Sequence, residues 1–86
     1  MRFIIEEYIN KINTSDIISF AFANNLELSL DEAEVLLFYL KNNWEDILYK
    51  DPLPIIQGIE QKIGKDKTDI IVSLFYYYKE KYKDYL

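Results

Sequence analysis

Cysteine and histidine are both missing from the chain. Without cysteine there is no disulfide and no thiol nucleophile, a composition that a reducing compartment permits. Without histidine the commonest general base and a principal zinc ligand are gone, so Ser–His and Cys–His nucleophilic machinery is excluded. The two glycines cannot build a phosphate-binding loop or a dinucleotide fingerprint. With only two prolines beside them, they leave too little turn chemistry for a β-sandwich or barrel. Long apolar runs are lacking too. Glu6 and Glu7 interrupt Phe3-Ile4-Ile5 before a signal-peptide core can form, and no run approaches the ~18–20 residues that cross a bilayer. The expectation is a cytoplasmic protein with no membrane partner.

Half of the 86 residues are hydrophobic and 16% are aromatic, which argues for a folded core rather than disorder. The length suits one domain, residues 1–86. The net charge of −5 is uneven. Residues 1–60 carry −7, whereas residues 61–86 carry +2. Nucleic acid and anionic membranes repel an acidic chain, although the basic last helix can still make a local contact.

The rest of the chain is organised around Ser29 to Leu40. Ser29 followed by Glu32 is a capping-box start. Ala33, Leu36, Leu37 and Leu40 then recur at helical spacing on one face, while Val35, Phe38 and Tyr39 lie off it. A helix apolar on several sides has neighbours on several sides, so this one is expected to be the hub. A first helix over about residues 2–11 offers Ile5, Tyr8, Ile9 and Ile12. A second, capped by Asn13 or Thr14 with Asp16 in its first turn, offers Ile17, Ile18 and Ala21 and stops at Asn24-Asn25. Leu26-Glu27-Leu28-Ser29-Leu30 reads as an extended connector with its leucines tucked under the helices. Asn42-Asn43 breaks or bends the hub helix before Trp44, Ile47 and Leu48. Asp51-Pro52 restarts the chain, with Asp as cap and Pro as first helical residue. A stripe of Ile55, Ile56, Ile59 and Ile63 follows, and Gly64 ends it. The last helix is expected to take Asp66 as cap and to align Ile71, Leu74, Phe75, Tyr78, Tyr82 and Tyr85, with Val72 and Tyr76 away from that face. The fold class is therefore all-α, a compact irregular bundle of about five short helices.

The chemical signals are few. The carboxylate groups Glu6-Glu7, Asp31-Glu32 with Glu34, and Glu45-Asp46 read as solvated faces and helix first turns, and no EF-hand spacing supports a metal. Residues 17–40 have helix-turn-helix spacing. The second helix, however, would present Asp31, Glu32 and Glu34 where a DNA reader presents its base contacts. The sequence gives no catalytic, cofactor-binding or metal-binding residue. What a core does not absorb is apolar surface. Val35, Phe38 and Tyr39 lie off the hub stripe, with a covering helix expected over Phe38. Val72, Tyr76 and Tyr77 lie off the stripe of the last helix, and tyrosine favours interfaces because it offers area with a wet end. These six form the candidate interaction surface.

With the helices placed, residues 10–83 resemble a family of small all-helical proteins of spore-forming Gram-positive bacteria, domain of unknown function 2624. The resemblance lies in Lys11-Ile12, the Thr14-Ser15-Asp16 start, an Ile-Ile helix with Ala21 and the Asn25-Leu26 turn. It continues through the Leu-Ser-Leu connector, Ala33, Tyr39-Leu40-Lys41, Leu74-Phe75 and the Lys-Tyr tail. The chain departs from the family in having Asn25 where glycine is usual and no proline near Ser15. The resemblance implies an all-helical cytoplasmic bacterial protein and transfers no activity. The expected function is that of a non-enzymatic protein-interaction module, acting on another protein or as a homodimer. The alternative is a nucleic-acid-associated regulator using Lys79, Lys81 and Lys83 with stacked tyrosines.

Overall fold

Each helix begins and ends where its local chemistry dictates. The computed structural model describes residues 2–81 and 83–85, and of residues 2 and 85 the backbone only. It contains α1 (Arg2–Lys11), α2 (Thr14–Ala23), α3 (Leu30–Tyr49), α4 (Leu53–Ile63) and α5 (Lys65–Lys81), then a short 3-10 turn, Lys83–Tyr85. The chain is all-α, as its pattern of stripes and caps predicts. Tyr82 and the side chain of Tyr85, expected on the last stripe, lie outside the described residues.

Asn13 caps α2: its Oδ1 accepts from the Asp16 N–H at 2.9 Å, and the Asp16 carboxylate accepts from the Asn13 N–H at 3.0 Å. At the other end Asn25 takes φ 65°, and the Leu26 N–H reaches the Ala21 carbonyl at 2.8 Å. This is a Schellman closure with asparagine in the left-handed position. The turn drives Leu26 and Leu28 into the core with Ala21. Leu30 departs from the expected tuck: it opens α3 and stays 56% exposed.

Ser29 and Glu32 form the predicted capping box of α3. The helix continues through Asn42-Asn43 with a kink rather than a break, located at Asn43 (φ −137°, ψ 18°). The physical cause is side-chain competition. Asn42 Nδ2 donates to the Phe38 carbonyl at 2.8 Å and Asn43 Nδ2 to the Tyr39 carbonyl at 3.2 Å, each four residues back, where the backbone ladder would otherwise bond.

Two starts differ from expectation, that of α4 by one residue and that of α5 by two. Asp51 caps from farther out, its Oδ1 accepting from the Leu53 N–H at 3.0 Å, so Pro52 is the N-cap and Leu53 opens α4. Asp66 does not cap α5. Gly64, at φ 90°, ends α4, and its carbonyl accepts from both the Thr68 N–H at 3.2 Å and the Thr68 hydroxyl at 2.6 Å. One glycine thus closes one helix and opens the next, and Thr68 is buried in the corner.

The helices α2, α3, α4 and α5 pack each on the next, and α1 lies on α3. The hub role of α3 therefore extends to α1, α2 and α4. Its link to α5 is local: Lys67 Nζ bonds both Glu32 oxygens, at 2.7 and 2.9 Å. That pair holds the Glu32 carboxyl below its ordinary pKa, first through the Lys67 hydrogen bond and then through the Ser29 N–H. A depressed folded-state pKa contributes stability that is present above the ordinary glutamate range and lost as pH falls through the folded-state value. Glu32→Gln keeps the cap geometry but removes the charge. It is expected to cost about 0.5–1 kcal/mol at neutral pH, a midpoint shift of roughly 2–8 °C, and the gap to the parent should close on acidification below the carboxylate range. Thermal melts across that range check it.

Candidate functional site

The stripes of the five helices do not meet in one closed core. Among the described residues only seven apolar side chains are buried: Ile9, Ala21, Leu26, Leu28, Ala33, Trp44 and Ile59. For a chain that is half hydrophobic this is a small core. Other apolar side chains from all five helices and their connections line a cleft of about 540 Å³, within the size range of ligand sites.

The helix order explains the cleft. The first half of α5 is held down: Thr68 is buried against Gly64, Lys67 is clamped to Glu32, and Ile71 packs on the Ala21–Leu26–Leu28 cluster. Beyond Ile71, α5 does not pack closely along α2. The two meet across the opening through Phe20 and Tyr78, whose ring centroids are 5.3 Å apart. Leu36 and Leu40 of α3 line the cleft, as do Tyr8 of α1 and Ile12 just after it, Ile17 and Phe20 of α2, Ile55, Ile56 and Ile59 of α4, and Val72, Phe75 and Tyr78 of α5. Its charged members are Asp16 and Lys79. The Lys79 ammonium sits 5.5 Å from the centroid of the Phe75 ring. The stem of this lysine covers apolar surface while its head stays at the rim.

The structure does not bring the six residues of the expected surface together. Val72 is half-buried in the cleft, because the apolar face of α5 is wider than the single stripe. Tyr39 is half-buried on α4: a Cβ added at Gly58 would stand 2.7 Å from the Tyr39 hydroxyl oxygen and 3.0 Å from Cζ. Its ring is taken up by helix packing. Val35 is half-buried. Phe38, over which a covering helix was expected, is 62% exposed and meets Tyr39 edge-on at 5.6 Å. Tyr76 and Tyr77 are exposed as well. Tyr77 meets Tyr78 at 88° and has the Lys81 ammonium 6.0 Å from its centroid, so part of its ring surface is already covered.

Sequence reasoning passed over the exposed face of α1. Phe3, Ile4 and Tyr8 are 72%, 60% and 70% exposed, beside the exposed Glu6 and Glu7. The available signal was the width of its apolar arc. Ile5 and Ile9, with Ile12 just past the helix end, suffice for one face of a ten-residue helix, which leaves Phe3, Ile4 and Tyr8 over.

Glu32 is committed to Ser29 and Lys67, and among the described residues no three carboxylates are grouped so as to hold a metal ion. No helix of the described residues is long and apolar enough to cross a membrane. No protein-family model, curated protein or solved structure matches the chain.

Proposed function

We propose that this chain is a non-enzymatic protein-interaction module and that its docking site is the apolar cleft bounded by α1, α2 and α5. One observation carries the reading. Tyr8 and Phe20 line the cleft and are 70% and 48% exposed, so an apolar surface that the chain's own core leaves open continues outward onto α1. Contiguous apolar surface rimmed by charge is what a partner helix covers. The residue types support the same reading: no histidine or cysteine is present for acid–base or nucleophilic work, and the charges at the cleft are one carboxylate and one ammonium.

A photo-crosslinking amino acid placed at Phe20 in the full chain, in cells, tests it. A discrete adduct with a polypeptide is expected from Phe20. None is expected from Glu27, which is exposed on the connector. Equal labelling at both positions, or none at Phe20, overturns the reading.

A further inference from the structure

We infer that the floor of the cleft binds a single-chain anionic amphiphile, a medium- or long-chain carboxylate whose hydrocarbon lies inward and whose head stands at Lys79. The site needs no polypeptide at the rim, so it goes beyond the docking reading above and stands apart from it. Three observations support it.

The first is a gradient of burial across one lining. Ala21, Leu26, Ile59 and Thr68 line the cleft and are buried, so they form its floor. Tyr8 and Phe20 line it too and are exposed, so they form its rim. A helix is about 10–12 Å across with its side chains and lies along such a rim. An acyl chain is thin enough to reach the floor, and its far end can stay in water.

The second is the chemistry of the floor. Its one polar side chain, Thr68, spends its hydroxyl proton on the Gly64 carbonyl at 2.6 Å. The walls above it are aliphatic, with Leu36, Leu40, Ile55 and Ile56 among them. A polar group carried down there would lose its water and find no free side-chain donor at the floor. Hydrocarbon loses nothing, and the volume of about 540 Å³ suits one small ligand.

The third is the head group. Asp16 and Lys79 leave the cleft net neutral, so local bonding, not overall charge, selects the sign of the head. The Asp16 carboxylate is exposed and already accepts from the Asn13 N–H within the cap of α2. Lys79 is half-buried against the Phe75 ring. Among the described residues it has no carboxylate within ion-pair distance, whereas Lys50, Lys65, Lys67 and Lys83 each have one. A carboxylate is the group that completes Lys79, and the flexible stem lets the ammonium follow it.

The experiment is calorimetric titration of the full chain with octanoate, decanoate and dodecanoate below their micelle concentrations. Decanol serves as the uncharged probe, and circular dichroism confirms that the helices persist. Saturable binding at one site per chain is expected, tightening roughly two- to fourfold for each added methylene. Lys79→Gln is expected to weaken decanoate by about three- to fivefold, as loss of a partly exposed ion pair does, and to leave decanol unchanged. Val72→Phe puts a ring into the cleft from a half-buried position and is expected to weaken both probes by about tenfold. Isoleucine methyl spectra of the parent locate the site without any variant: decanoate is expected to shift Ile55, Ile56 and Ile71, which line the cleft, and not Ile4, which is exposed on α1. No saturable binding, or binding that ignores chain length, overturns the site. Shifts centred on Ile4 overturn its location, and equal losses of decanoate and decanol in Lys79→Gln overturn the placement of the head. Association with phosphatidylglycerol vesicles but not with decanoate overturns a free single chain as the ligand. The crosslink from Phe20 to a polypeptide succeeds or fails independently of these results.

Discussion

Trp44→Ala is expected to cost about 3–5 kcal/mol of stability. Trp44 is 9% exposed and follows immediately on the kink at Asn43, with the ring of Tyr49 packed edge-on at 6.4 Å. Truncation removes the largest side chain of the small core and leaves a void that helices fixed by the kink and by Pro52 cannot collapse to fill. A chain of this length has a total stability of only ~4–13 kcal/mol, so the variant is expected to be largely unfolded near body temperature. Phe38→Ala, an aromatic truncation earlier on the same helix, is expected to stay within about 1 kcal/mol of the parent, because Phe38 is 62% exposed. Urea unfolding of the two variants side by side checks the contrast. Equal losses would mean that the outer face of α3 is covered.

The contrast shows how much could be read from sequence. Helix ends were legible because they are local chemistry: Ser29 with Glu32, Asn24-Asn25, and Gly64 each act within a few residues of themselves. The kink was legible for the same reason. The cap of α5 was misplaced because its start is set by Thr68 bonding back to the carbonyl of Gly64, the residue between the two helices. The cleft was not legible at all. A stripe with helical period says which face of a helix is apolar and is silent about what covers that face. Leu36, Leu40, Phe75 and Tyr78 have the spacing of core residues, yet they line an opening. Of the six expected surface residues, Tyr39 packs on α4 and Val72 lines the cleft. Lying off a stripe excludes one neighbouring helix, and Tyr39 found another.

Tyr39 offers a test of that assignment with a sign that is hard to mistake. Gly58 lies inside α4, where replacing glycine by alanine ordinarily stabilises by about 1 kcal/mol. Here Gly58→Ala is expected instead to destabilise by about 1–3 kcal/mol, because the new methyl would stand 2.7 Å from the Tyr39 hydroxyl oxygen and 3.0–3.1 Å from two ring carbons. The ring must swing away, and the α3–α4 contact that positions both Leu36 and Ile59 at the cleft is disturbed with it. In a Tyr39→Leu background the obstruction is gone, and Gly58→Ala is expected to return to neutral or mildly stabilising. The double-mutant cycle should give a coupling of about 1–3 kcal/mol, read from denaturant unfolding with an unchanged slope. Tyr39 facing outward as a contact residue would leave the two positions independent and restore the ordinary gain of alanine over glycine. The size of the coupling therefore decides whether the hub helix spends this tyrosine on its own fold, which leaves the cleft and α1 as the surface open to a partner.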